Sequence, residues 1–119
     1  MRRSGSVLAW TSGLSSAVFF VLAISLAIHV RVGLGHWPEP MRESYRTSAY
    51  EFHETALVWA AMFVLYAAIP LWVLCVSIRP LRSTARVHLI QAGIYVMGWG
   101  LVVGFLALDP FGFVSWFMD

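Results

Sequence analysis

Two histidines in this sequence could meet at one face of a membrane and bind a metal ion or a haem. His29 lies near the end of an uncharged run over residues 7–30, and His53 and Glu54 directly precede a second uncharged run. Neutral imidazole nitrogens bind zinc, copper and haem iron, and a carboxylate can complete such a site. The spacing is neither HxxxH nor HExxH, so capping and hydrogen bonding at the membrane boundary is the competing interpretation. The sequence therefore predicts no metal site and leaves these three residues as candidate ligands.

A second polar pair lies inside the third uncharged run. Gln91 and Tyr95 are four residues apart and so share one face of a helix. A buried amide and a buried phenol both need hydrogen-bond partners, which indicates either bonding between helices or a pocket for a quinone or pigment. The uncharged runs hold no Asp, Glu, Lys or Arg, and this argues against a proton-coupled transporter or an ion pump.

The composition places these residues in a membrane. Of 119 residues, 60% are hydrophobic and 12% are charged, whereas soluble domains are roughly half apolar and a quarter charged. The uncharged runs over residues 7–30, 55–78 and 88–108 are each long enough to cross a hydrocarbon core of about 30 Å as a helix. Backbone groups find no water in lipid, so helices are the expected form. We therefore predict an all-α integral membrane protein with three transmembrane helices in a single domain over residues 1–119, with Pro70 kinking the second helix.

Arginine sets the predicted orientation, because the chain contains no lysine. Five arginines flank the spans on the side of the N-terminus and three on the other side, and cytoplasmic loops carry the excess of positive charge. The N-terminus is therefore predicted to be cytoplasmic and the C-terminus to lie outside. Nucleic-acid binding is not implied. The two groups are Arg2, Arg3, Arg79, Arg82 and Arg86 against Arg31, Arg42 and Arg46.

The connecting segments follow from these spans: an outer loop over residues 31–54, an inner loop over 79–87 and an outer tail over 109–119. In the outer loop, Met41, Tyr45 and Phe52 recur at helical spacing, which predicts a short helix lying along the membrane interface. The aromatic tail is expected to lie on lipid, to pack against the outer loop or to fit a groove on a partner. Its aromatic residues are Phe111, Phe113, Trp116 and Phe117.

Small residues spaced four apart predict where membrane helices approach closely. Lipid tails are as apolar as leucine, so helices associate through close backbone contact and a few polar bonds. Such residues occur in the first and third spans, and they predict either packing within the chain or docking onto another protein. The residues are Ser12, Ser16, Ala23 and Ala27 in the first span and Gly93, Gly98, Gly100 and Gly104 in the third.

Two stretches carry a resemblance. "LGHWPEP" after the first span and the closing "DPFGFVSWFMD" resemble segments of small, arginine-rich bacterial three-span membrane proteins. The resemblance implies a bacterial inner-membrane setting and brings no activity with it.

Two functional hypotheses follow from the sequence. The first is a non-enzymatic accessory or stabilising subunit of a larger bacterial membrane complex, for example an energy-transducing one, with the lipid bilayer and other membrane subunits as partners and no cofactor. It is favoured by packing residues without any catalytic motif. The alternative is a self-contained membrane binder of haem, quinone or a metal through the outer histidines.

Overall fold

The computed structural model describes residues 2–42, 44–78 and 84–119 of the chain. Within these residues the regular structure is helical, with no strand. The predicted inner loop falls mainly on residues 79–83, which lie outside the described residues. The helices are α1 (Arg2–Leu34), α2 (Ser48–Met62), α3 (Ala68–Ser77), α4 (Ala85–Leu108) and α5 (Phe113–Met118), with a π-helical turn over Phe63–Ala67 joining α2 to α3.

Three helices are long and apolar enough to cross a membrane, as the sequence predicts. They cover Ser6–Leu34, Ser48–Ser77 and Ala85–Leu108. The second begins seven residues before the predicted position, because charged residues at a helix end do not stop a helix. Thr47 caps it, its hydroxyl oxygen accepting a 3.2 Å hydrogen bond from the Tyr50 N–H.

The second span is irregular just before Pro70. The Ala68 N–H donates to the Phe63 carbonyl, five residues back instead of four. Proline has no N–H to donate, so it weakens the normal ladder at this point. The Tyr95 hydroxyl of α4 donates a 3.0 Å hydrogen bond to the Val64 carbonyl within the turn. The predicted disturbance at Pro70 is therefore a π-helical turn that α4 helps to hold.

The first helix is the centre of the bundle. Both α4 and the second span pack along α1, whereas α3 and α4 make little backbone contact with each other. A groove is therefore left between α3 and α4, with α1 as its floor. At the end of the bundle where residues 35–47 and 109–119 lie, here called the tail end, a compact core forms from Leu26, Ala27, Val30, Tyr50, Phe113 and Trp116.

The prediction of a short interfacial helix in the outer loop is wrong. Residues 36–42 and 44–47 form turns and extended chain, and Met41 has a φ of 59°. The left-handed backbone of Met41 interrupts a right-handed helix at the first residue of the predicted pattern. Pro38 and Pro40 favour extended backbone in the residues directly before them. Tyr45 turns inward, with its hydroxyl over Gly33, and Phe52 belongs to α2.

The tail packs on the bundle through part of its aromatic residues. Phe113 and Trp116 of α5 are buried in the tail-end core. Phe111 stacks on Trp37 of the outer loop with ring centroids 4.1 Å apart, while the Arg31 guanidinium lies 5.0 Å from the same Trp37 ring. The predicted packing of the tail against the outer loop is thus present, while Phe111 and Phe117 keep part of their surface exposed. Contact of the tail with lipid or with a partner stays a prediction.

Asp109 ends α4 through its backbone and holds the start of α5 through its carboxylate. Asp109 has a left-handed backbone conformation that breaks α4. Its Oδ1 accepts a 2.8 Å bond from the Val114 N–H, and its Oδ2 accepts bonds from the Ser115 N–H (3.1 Å) and the Ser115 hydroxyl (2.6 Å). Partial burial opposes ionisation, but these hydrogen bonds outweigh it and hold the pKa of the Asp109 carboxyl below its usual value.

Acidification is expected to loosen the tail through Asp109. Because the folded-state pKa is lowered, the stabilisation is complete above the ordinary carboxyl pKa of about 3.9 and is lost as the pH falls through the lower folded value. Asp109→Asn removes the charge and one acceptor, and we expect it to cost about 1 kcal/mol of tail docking at neutral pH. Hydrogen exchange of residues 113–118 between pH 7 and pH 3 measures this. If acid lowers the protection of residues 113–118 no more in wild type than in Asp109→Asn, the Asp109 carboxylate does not hold the tail.

Candidate functional site

A polar cluster lies inside the bundle where α3 and α4 flank α1. The Gln91 side chain is fully buried. Its Oε1 accepts a 3.3 Å hydrogen bond from the Trp72 indole N–H of α3 and lies 3.1 Å from the His88 Nδ1 on α4. His88 is also buried and meets the Trp72 ring edge to face, with centroids 6.0 Å apart. The amide thus bridges two helices that otherwise barely touch.

The orientation of this amide follows from its neighbours. An indole N–H can only donate, so the amide atom that faces Trp72 must be the oxygen. The other atom, Gln91 Nε2, is buried and has no hydrogen-bond partner among the described residues. A buried unpaired amide donor costs about 1–3 kcal/mol, so this atom calls for an explanation.

A cavity of about 280 Å³ adjoins the amide in the groove between α3 and α4. Its floor is Ser12 and Gly13 of α1. Its rim includes Ile69 and Val96, whose side chains are exposed on the bundle surface that would face lipid. The cavity is almost wholly apolar apart from the groups around Gln91. It therefore opens on the exposed side of the bundle and reaches inward to Gln91.

Two glycines allow α4 to approach α1 closely. A Cβ on Gly98 would lie 2.7 Å from the Ala17 backbone nitrogen and would collide with the Ser16 hydroxyl oxygen. Ser16 donates a 2.8 Å hydrogen bond to the Tyr95 carbonyl. A Cβ on Gly13 would lie 3.0 Å from the Gln91 Cβ. The structure brings the predicted packing residues Ser16 and Gly98 into direct contact.

The remaining predicted glycines lie on the other face of α4. A Cβ on Gly93, Gly100 or Gly104 would meet nothing within 4 Å. At 100° per residue these positions are about 180–220° around the helix from Gln91, which faces α1. Ala107 lies on the same side and is exposed. We call these four residues the glycine face; no described part of the chain covers it.

The other predicted packing residues are all on α1. Ser12 lies at the floor of the Gln91 cavity, where its hydroxyl donates to the Leu8 carbonyl at 3.1 Å. Ala27 is buried in the tail-end core. Ala23 borders a smaller apolar cavity beside Phe105.

The histidines of the tail end do come together. The His29 and His53 rings are stacked with centroids 5.2 Å apart and an interplanar angle of 16°. His53 Nδ1 lies 2.9 Å from the Ala49 carbonyl, and its Nε2 lies 3.5 Å from the Ser25 hydroxyl, whereas His29 Nε2 is buried without a partner among the described residues.

Each ring can offer one nitrogen to a given metal ion, so the pair supplies at most two ligands. No group of three or more His, Cys, Asp or Glu side chains able to hold a metal occurs within residues 2–42, 44–78 and 84–119. Ring nitrogens bind metals in the plane of the ring, so two stacked rings are poorly aimed to ligate one haem iron from opposite sides. Binding of a metal or haem by His29, His53 and Glu54 stays a prediction.

Sequence reasoning singled out Gln91 and Tyr95 but missed Gly13, Trp72 and His88. Trp72 and Gly13 lie on other helices, and nothing in their local sequence pairs them with Gln91. His88 is three residues before Gln91, a helical spacing that could have connected the two.

The chain matches no protein-family model, no curated protein and no solved structure.

Proposed function

We propose that this chain is a non-enzymatic accessory or stabilising subunit of a larger complex in the bacterial inner membrane. Its N-terminus is cytoplasmic and its tail end faces outward. The glycine face of α4 packs against a transmembrane helix of another subunit. The observation that carries the proposal is that Gly93, Gly100 and Gly104 have open space where a side chain would be.

The contrast between the two faces of α4 supports this role. Glycine inside a helix costs about 0.5–1 kcal/mol relative to alanine. On the inner face the cost is offset, because Gly98 lets Ser16 and the α1 backbone approach. On the outer face three glycines give no such contact within the described chain. Bare backbone on a membrane helix favours association with a second helix through close packing.

The rest of the outer surface suits a lipid-embedded scaffold. The spans expose many large aliphatic side chains, and the described parts of the spans after residue 5 carry acids and arginines only toward their ends. The tail-end aromatic residues are largely occupied in holding the tail and the outer loop together. The sequence indicates two docking surfaces, the small residues of the spans and the aromatic tail. The glycine face is the more accessible of the two.

Bulky residues on the glycine face are expected to release the partner. In Gly100→Leu/Gly104→Leu, two added side chains would hold a neighbouring helix away, and we expect at least a tenfold loss of co-purifying subunits. The measurement is tagged purification from the native host in mild detergent, with mass identification and stoichiometry of what elutes. Thr55→Leu, which places a leucine at an exposed position of the second span, is the control and should retain the partners.

Three outcomes would count against the proposal. Elution of the wild-type chain alone would remove the accessory role. The wild-type chain could also elute as an oligomer of itself, and the Gly100→Leu/Gly104→Leu variant as a monomer. That result would mean that the glycine face binds a second copy of this chain. Equal recovery of partners with the leucine pair and with wild type would place the docking surface elsewhere.

A further inference from the structure

The Gln91 cavity has the features of a binding site for a small apolar molecule. It holds about 280 Å³, just under the usual lower limit of about 300 Å³ for ligand pockets. Its lining is apolar except at one end, where a fully buried amide lies. A few polar groups at the end of an apolar pocket orient a ligand and select it.

The unpaired donor defines what the ligand must carry. Trp72 and His88 occupy the Gln91 oxygen, so the group left to act is the Nε2 amide, which can only donate. A donor of this kind selects an acceptor oxygen such as a carbonyl. The surrounding side chains, Ile69, Trp72 and Val96 among them, select an apolar body beside that oxygen.

The position of the cavity defines how the ligand arrives. Gln91 lies six residues into α4, roughly 9 Å of helical rise from the end nearest the N-terminus. The rim residues Ile69 and Val96 are exposed on the surface of the bundle. The entrance is therefore sideways from the bilayer, within reach of lipid-soluble molecules and of the carbonyl region of the lipids themselves.

We propose that this cavity binds a bilayer-soluble molecule through one carbonyl oxygen, which accepts a hydrogen bond from Gln91 Nε2. The carbonyl belongs either to a quinone ring or to the acyl ester of a glycerolipid. The amide nitrogen is covered by neighbouring atoms, so binding requires a rotation of the amide about its last torsion, which has a broad, soft energy profile. The ligand supplies the partner that this buried donor lacks. Gln91 lies on the opposite side of α4 from the glycine face, whereas the rim residue Val96, about 140° around the helix from Gln91, borders that face. The proposal concerns the chain by itself and needs no subunit docked on the glycine face.

The test measures binding of two probes to the purified full chain. A decyl-substituted benzoquinone quenches tryptophan fluorescence, and Trp72 lines the cavity. Dioctanoylglycerol supplies ester carbonyls and is titrated as a competitor. Gln91→Met keeps a similar side-chain size but removes the whole amide, both the donor and the oxygen that Trp72 and His88 contact. Ala92→Phe fills the cavity with Gln91 intact. Tyr66→Phe, a loss of one polar group on the exposed side of the second span, is the matched control.

We expect saturable binding at one site, weakened at least tenfold by Gln91→Met and by Ala92→Phe and unchanged by Tyr66→Phe. Quinone binding that dioctanoylglycerol does not displace assigns the site to a quinone ring. Displacement by dioctanoylglycerol with the same dependence on the variants assigns it to a glycerolipid ester. Binding of both probes that is equal in all variants would overturn the proposal, and so would the absence of saturable binding. If Gln91→Met does not fold, Ala92→Phe still decides.

Discussion

Replacing Gly98 with leucine is expected to separate α4 from α1 and to destabilise the bundle. The first added carbon would already lie 2.7 Å from the Ala17 backbone nitrogen and would collide with the Ser16 hydroxyl. Backbone cannot rotate away as a side chain can, so the helices themselves must move. Their separation would also break the 2.8 Å bond from Ser16 to the Tyr95 carbonyl.

The expected cost is at least about 2 kcal/mol, within the range for overpacked interiors. Titration with a denaturing detergent in mixed micelles, followed by circular dichroism, measures the free energy of unfolding. Gly93→Leu is the matched control, because it makes the same change on the same helix where nothing lies within 4 Å. We expect that variant to be neutral, or more stable by up to about 1 kcal/mol through helix propensity. Equal effects of the two substitutions would refute the packing described for Gly98.

Replacing Trp116 with alanine is expected to release the tail helix while leaving the three spans intact. Trp116 is buried and lies edge to face with Tyr50, with ring centroids 6.3 Å apart. Truncating a buried tryptophan removes its packing contacts and leaves a cavity, at a cost of about 3 kcal/mol. A six-residue helix has little stability of its own, so this loss is expected to undock α5.

Hydrogen exchange of residues 113–118 in detergent gives the readout, and we expect protection there to fall at least tenfold. Met118→Ala serves as the control, because Met118 is in the same helix but is 78% exposed. Retained protection in the Trp116 variant would mean that Phe113 and the Asp109 bonds hold the tail without the tryptophan.

The tail and the outer loop show where sequence reasoning lost accuracy. The spacing of Met41, Tyr45 and Phe52 is helical, yet the prolines at 38 and 40 and contacts with Gly33 and His29 determine the path of this segment. The aromatic residues of the tail could contact lipid, the outer loop or a partner protein, and their sequence does not distinguish these three. Only the three-dimensional arrangement shows that Phe113 and Trp116 reach Leu26 and Val30 of α1.

The sequence by itself determined the three apolar helices, because the lack of charge over a membrane's thickness is a local property and lipid leaves the backbone no other way to satisfy its hydrogen bonds. It also identified Gln91 as a buried polar group that needs partners. The tertiary structure alone decided which side of α4 faces α1, and with it the separate roles of Gly98 and of Gly93, Gly100 and Gly104. The reason is that a span is apolar all round: lipid and protein interior attract its side chains alike, so the sequence pattern does not mark the buried face. Contact between helices distant in sequence makes that choice, and it also brings Trp72 to Gln91 beside a cavity.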